Sequence, residues 1–293
     1  MLQDLYDSFI STLTTKTNAI SGAMSGALSA PLTAAMTLYI LLYGIAIMRG
    51  AIQEPALDFA LRGIKLAIIW SLVTSAGDYT SWISSTINTG IPDFINTLTG
   101  GSGSLPSDPV MVKAGEIAAK VQEEYASQGW SGKIYGYIMS GVVLVWAVVF
   151  AAIAFVASLL ATFGLTIAAA IGPIFICFAL FDATRGWFFS WLGQILNWAI
   201  VKVLVVVLTI VIVAMLGDVY AKIDLVGGMA ALAAFLVALS CGLIFFLLIP
   251  SVASGLSAGA QASTGMLQRS IERNLGIRTG GGSGGARGSA TRT

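Results

Sequence analysis

From Ile134 to Phe181 the chain runs 48 residues without a charged side chain, and no other feature restricts its fold so severely. A helix needs about 20 apolar residues to cross the hydrocarbon layer of a bilayer, so this run is too long for one simple crossing. The composition agrees with a membrane setting. Hydrophobic residues make up 57% of the 293 and charged residues only 10%, against about 25% charged in a soluble domain, and the mean hydropathy is +0.88. The expected fold class is an all-α polytopic integral membrane protein.

Further runs of helix length flank that stretch. LTAAMTLYILLYGIAIM (32–48) reads as a first span, preceded by a head in which Leu2, Leu5, Tyr6, Phe9 and Leu13 recur at helical spacing, the mark of an amphipathic helix. Asp4 and Asp7 near the start, in place of basic residues, argue against a signal peptide. Gly22, Gly26 and Ala30 follow at spacings of four; small residues so placed let helices approach closely in lipid, or they merely loosen the chain before Pro31. A second span covers 59–76, with Arg62 and Lys65 near its start, where long cations reach the headgroups. Two more spans are expected over 194–216 and 229–249, the latter stopped by Pro250.

Between the second span and the long run lies a polar excursion, 77–133, with GGSGSLPSDP at its centre. Asp108 and Pro109 can start a helix over 109–128. That helix places Val110, Ala114, Ile117, Val121 and Tyr125 on one face, and Glu116 and Lys120 one turn apart on the other. Its apolar stripe must pack on the rest of the chain or on a neighbouring subunit. The chain thus divides into an amphipathic head (1–30), two spans (31–76), the excursion, a membrane core (134–250) and a tail (251–293) disordered from about 280.

Charge placement sets the number of crossings. The hinge after span one carries Arg49, Arg62 and Lys65; the excursion holds three lysines against six acids; the tail holds Arg269, Arg273, Arg278, Arg287 and Arg292 against Glu272 alone. If 134–181 crosses once, about five crossings put the acidic N-terminus and the excursion in the periplasm, and the arginine tail in the cytoplasm. Two crossings there would put the arginines outside. The surplus apolar length then becomes a long tilted helix plus a re-entrant or interfacial piece, broken near Gly172 and Pro173, because non-helical backbone at that depth must be covered by protein or reached by water.

The inventory argues against an enzyme. With no histidine in the chain, the commonest general base and metal ligand is missing, and Gly132-Lys133 lacks the glycine spacing of a phosphate-binding loop. No cofactor or metal site is expected. Cys177 and Cys241 both sit in apolar runs, as small hydrophobes do. Lys202 is the one charge placed deep within a span, and an intramembrane charge is a functional candidate by default: it would line a conduit, contact substrate or pair with an acid, or else reach a backbone carbonyl.

The end of the long run reads IGPIFICFALFDATRGWFFSW (171–191), with seven aromatics around Asp182 and Arg185. Read physically, it is an interfacial aromatic belt with one local ion pair, or a hinge that docks another subunit. This segment, through Gly172, Pro173, Phe175, Leu180, Phe181, Thr184, Arg185, Trp187, Phe188 and Trp191, resembles the central region of the TrbL-type polytopic subunits of bacterial type IV secretion systems. The five-span plan resembles them too. The glycine-rich tail is shorter than the C-terminal domains of many such proteins, so functions carried there are not implied. The resemblance implies an inner-membrane component of a conjugation machine that supports pilus assembly and the transfer of DNA–protein or protein substrates. The implied partners are the major pilin, the minor pilus-tip subunit, bitopic scaffold subunits, ATPases that supply the energy, membrane lipid, and further copies of the chain around the pilus axis, with transient contact to translocated DNA or protein. A stand-alone transporter, or a purely structural assembly base, are the competing classes. Repeats and paired broken helices would favour the transporter, and only the break at Gly172-Pro173 is present.

Overall fold

The computed structural model describes residues 2–50, 56–99, 107–127, 129–181, 184–226 and 228–274, and within them every regular element is helical. In chain order these are α1 (Leu2–Met48), α2 (Ala56–Thr74), α3 (Ala76–Tyr79), two π-helical turns (Thr80–Ser84 and Thr86–Gly90), α4 (Ile91–Thr99), α5 (Ser107–Ala126), α6 (Gly129–Ala170), α7 (Gly172–Phe178), α8 (Arg185–Val226) and α9 (Gly228–Asn274). The protein is all-α and polytopic. Among the described residues, four stretches are long and apolar enough to cross a bilayer: Asp4–Met48, Gly129–Ala170, Arg185–Lys222 and Met229–Ala258. Where the second of five spans is expected lies α2, Ala56–Thr74, a helix of 19 residues. Asp182, and the tail beyond 274 with its expected disorder, lie outside the described residues.

The long uncharged run divides into one long helix and a short piece after a break at Ile171. Its first part is α6, one unbroken helix of 42 residues, about 63 Å at 1.5 Å per residue and twice the ~30 Å hydrocarbon layer. The surplus is therefore helix that continues past the thickness of a bilayer. Near its start it packs on α5, where a Cβ on Gly136 would stand 3.2 Å from Tyr125 Cβ.

The excursion also differs from a loop. From Ala76 to Thr99 the chain stays helical behind α2, and it turns Tyr79, Ser84, Ile87 and Ile95 into the protein. Counting from Tyr79 in steps of 3.6, an α-helix would face residues near 83, 86, 90 and 93 inward. Each π turn closes on i→i+5 and so takes up about one extra residue. Two of them rotate the face by about two residues, leaving Ile95 2% exposed and Thr86, Gly90 and Asp93 on the outside.

Helix α5 buries Val110, Ala114, Ile117 and Val121 completely, in a core shared with α6, α8 and α9. The stripe thus packs on its own chain. On the other face, where Glu116 and Lys120 were expected to pair, Glu116 takes Lys113 at 2.6 Å, and Lys120 donates to the Tyr220 carbonyl at 3.3 Å and lies 4.7 Å over the Tyr220 ring. Lys120 sits on the flank that meets α8, where a carbonyl and a π face are both within reach. Gly242 lets α9 close on that core, since a Cβ there would come within 2.7 Å of Phe150 and 2.8 Å of Ile212. On α1 the inward small residues are Thr17, Ser21 and Ser25. Gly22 is half-buried, and Gly26 is exposed with open space around it. A second core, built from α1, α2, α6, α7 and α8, gathers around Leu165, Ile176 and Trp191, and it holds the site.

Candidate functional site: an aromatic helix break and a buried lysine

Helix α6 stops because Pro173 has no N–H for the carbonyl of Ala169, four residues back. Ile171 takes φ −87° and ψ −2°, and α7 restarts with Pro173 in its first turn, where a missing donor costs nothing. The carbonyls at the end of α6 are taken by side chains. The Tyr79 hydroxyl donates to Ala169, and the Trp191 indole donates to Ala168 at 2.8 Å. Those two side chains cross directly over Gly172, where a Cβ would lie 2.0 Å from Tyr79 Oη and 3.0 Å from Trp191 Cζ2. Only a residue without a side chain fits between them.

The far side of the break is closed by rings and one hydroxyl. Phe175 stacks on Trp191 with centroids 6.0 Å apart, and Phe178 meets Trp187 edge-on at 4.9 Å. Phe188 leans on Trp191 at 5.8 Å. Thr184 donates to the Phe178 carbonyl at 2.8 Å, which ties the turn to the start of α8. Arg185 places its guanidinium 5.3 Å from the Phe189 ring centre, within cation–π range. Phe181 meets Tyr39 of α1 at 6.3 Å. Thus Gly172, Pro173, Phe175, Phe181, Thr184, Arg185, Trp187 and Trp191 come together in one place. Trp191 is the keystone, buried to 6% exposure, while Trp187 stays 58% and Phe181 39% exposed. Beside the break an apolar groove of about 510 Å³ opens between α6 and α8, lined by Leu160, Phe163, Ile167, Phe175, Trp191 and Gln194 among others.

Lys202 lies three turns further along α8 and is 9% exposed. Its ammonium donates to Thr162 Oγ1 of α6 at 3.3 Å. Thr162 sends its own proton to the Ser158 carbonyl at 3.1 Å and meets the Tyr6 hydroxyl of α1 at 2.9 Å. With the threonine proton committed, Tyr6 is the donor in that contact. Three helices therefore meet at Thr162: α8 through Lys202, α6 through Thr162 itself and α1 through Tyr6. Tyr79 and Thr162 were not singled out from the sequence, and Tyr6 only as part of the amphipathic head; nothing local marks them, since Tyr79 and Tyr6 bond to partners 90 and 156 residues away. Among the described residues no group of acids and cysteines is arranged to hold a metal ion.

A family described as TrbL/VirB6 plasmid conjugal transfer protein matches residues 36–252, a span that takes in the break and Lys202. Two proteins called type IV secretion system protein VirB6 are similar to the chain over 230 residues, that of Bartonella henselae (strain Houston 1) at 27% identity and that of Bartonella quintana (strain Toulouse) at 26%. Each alignment covers 74% of this chain and 67% of the relative.

Proposed function

The chain belongs to the TrbL/VirB6 family of plasmid conjugal transfer proteins, and from that premise we propose that it supports pilus assembly and the passage of DNA–protein or protein substrates across the inner membrane. As a component of a type IV secretion system it is a multi-pass protein of that membrane, and its partners are other secretion subunits. In the proposed arrangement the N-terminus is periplasmic and the C-terminus cytoplasmic. The partners are the major pilin, the minor pilus-tip subunit, the bitopic scaffold subunits and the ATPases, and several copies surround the pilus axis.

The observation that carries this reading is the aromatic break inside the matched span. Its interior is fixed by capped carbonyls and a buried Trp191, yet it presents Phe181 and Trp187 outward, with the half-buried Arg185 beside them. A rigid base with exposed aromatics and an arginine is the composition of a protein contact. Replacing Arg185 by alanine is expected to lower transfer on the order of tenfold, as loss of an interface anchor does, while the protein still inserts and accumulates. Undiminished transfer by Arg185→Ala and Trp187→Ala together would remove the break from the docking surface.

Orientation is tested with single cysteines at Ser127, Ser190 and Ser283, with Cys177 and Cys241 changed to serine. The proposal expects a membrane-impermeant thiol reagent to reach position 127 from the periplasm and the other two from the cytoplasm. Labelling of all three from one side would mean that α6 does not carry the chain across.

A further inference from the structure

Helix α1 and the helical run from α2 to α4 lie side by side as one long antiparallel hairpin. Trp70 donates to Thr33 Oγ1 at 3.4 Å and Ser84 to Asn18 Oδ1 at 2.7 Å, two contacts that keep the arms in step. We propose that the outer face of this hairpin, over residues 7–16 and 86–97, lines a water-filled space at membrane depth, while lipid covers the α6 flank at the same level. The inference deepens the passage proposed above by naming its wall. It concerns water, so it can hold or fail apart from substrate transfer.

Contacts on both arms fix the level of that face. Tyr6 of α1 meets Thr162 at 2.9 Å and the Phe155 ring at 6.2 Å between centroids, both on α6. In the other arm the Tyr79 hydroxyl donates to the Ala169 carbonyl, and α4 packs against α8. The hairpin thus stands beside residues 155–169 of α6, a helix long and apolar enough to cross a bilayer. Every exposed residue of α6 between 152 and 170 is apolar: Ala152, Val156, Leu160, Phe163 and Ile167. Nor is this level a margin of the apolar surface. Val145 and Val148 are exposed toward the start of α6, and Leu38, Leu41 and Leu42 toward the end of α1, where Tyr39 meets Phe181 beyond the break. A hydrocarbon layer of ~30 Å laid over the middle of this surface includes the level where Tyr6 meets α6.

The outward side of the hairpin is of another kind. On α1 Thr17 is buried, while Asp7, Ser8, Ser11, Thr12, Thr15 and Lys16 are exposed. In the other arm Ile87 and Ile95 are buried, while Thr86, Thr89, Asp93 and Thr97 are exposed. The large apolar side chains exposed among them are Phe9 and Phe94. Hydroxyls alone do not decide which solvent meets this face. Thr12, Thr15, Thr89 and Thr97 each donate to the carbonyl four residues back, which satisfies their protons in either solvent and leaves a lone pair on each oxygen for water. The charged side chains decide. Asp7, Lys16 and Asp93 stand on the exposed face, and charges at membrane depth almost always face a bundle interior or a water-filled cavity. One level therefore needs hydrocarbon on the α6 flank and water on the hairpin flank, the cross-section of a channel wall.

Cysteine accessibility in the assembled machine tests this without reading transfer. In cells carrying the whole secretion system, the full chain with Cys177 and Cys241 changed to serine receives Thr15→Cys or Thr89→Cys on the hairpin, or Val156→Cys or Ile167→Cys on α6. All four positions are exposed, where substitutions are well tolerated. A membrane-impermeant, charged thiol reagent is expected to modify the hairpin positions faster by about tenfold or more, because a thiol in apolar surroundings keeps its proton and stays inert. A photoreactive phospholipid is expected to label α6 over 156–167 and to spare 11–16 and 86–93. Fast thiol labelling of both pairs would place the level outside the bilayer and overturn the proposal. Lipid labelling of the hairpin face would overturn it too, by setting that face against hydrocarbon. So would a hairpin pair that stays unreactive, since protein would then cover the face.

Discussion

Two places in this molecule interrupt a long helix, and they do so by opposite means. At 170–173 the ladder is cut: Pro173 withholds a donor, and Tyr79 and Trp191 cover the carbonyls left behind. At 80–90 the ladder is stretched: two π turns absorb extra residues, the chain stays helical, and only the direction of the side chains changes. A cut fixes one geometry, because an alternative would strand buried carbonyls. A stretch can be undone without losing a single backbone bond. The first device ends α6 and the second re-aims α4.

The largest effect that would break this contrast lies at Trp191. Its ring is stacked and buried and its indole holds Ala168, so Trp191→Ala should cost about 3–5 kcal/mol, read as a lowered denaturation midpoint in detergent. A near-neutral result would mean that the end of α6 is not fixed by the cap. Next comes Gly172→Ala. The added methyl meets Tyr79 Oη and Trp191, and neither can retreat without releasing its carbonyl, so a loss of about 1–3 kcal/mol is expected. The same change at Gly26, where a Cβ meets nothing, should leave the midpoint within about 0.5 kcal/mol or raise it slightly.

The same contrast explains how much of the structure was legible in the sequence. The cut was visible because Gly172-Pro173 is a local signal with a fixed steric meaning, and the aromatics around it are contiguous. The α5 stripe was visible because its period is 3.6. The stretch was invisible: the inward residues Tyr79, Ser84, Ile87 and Ile95 are spaced by five, three and eight, which fits neither helix nor strand, so 77–99 read as a polar excursion. The inward face of α1 was misread for a related reason. Thr17, Ser21 and Ser25 look polar, yet their hydroxyls can bond within their own helix, as Thr17 and Ser21 do, and small side chains so satisfied pack as well as glycine does. Lys202 stood out as a charge, but its partner Thr162 on α6, and Tyr6 of α1 beyond it, are set by tertiary contacts alone.

Two single-hydroxyl deletions sharpen the comparison most. Tyr79→Phe and Ser84→Ala each delete one hydroxyl that bridges between helices. At the cut, Tyr79 is fully buried, and losing its proton leaves the Ala169 carbonyl without that donor in a packed core. The cost should be about 1–3 kcal/mol, that of an unsatisfied buried acceptor. At the stretch, Asn18 and Asn88 are only half-buried, so water can replace what Ser84 gave, and the cost should be nearer the ~1 kcal/mol of an ordinary exchangeable bond. The ratio of the two midpoint shifts, measured in one detergent, is therefore the quantity to read. If Ser84→Ala proves the costlier, the π register is held as firmly as the helix break. The 80–90 segment would then be an adaptor that aims α4 as rigidly as the cut ends α6.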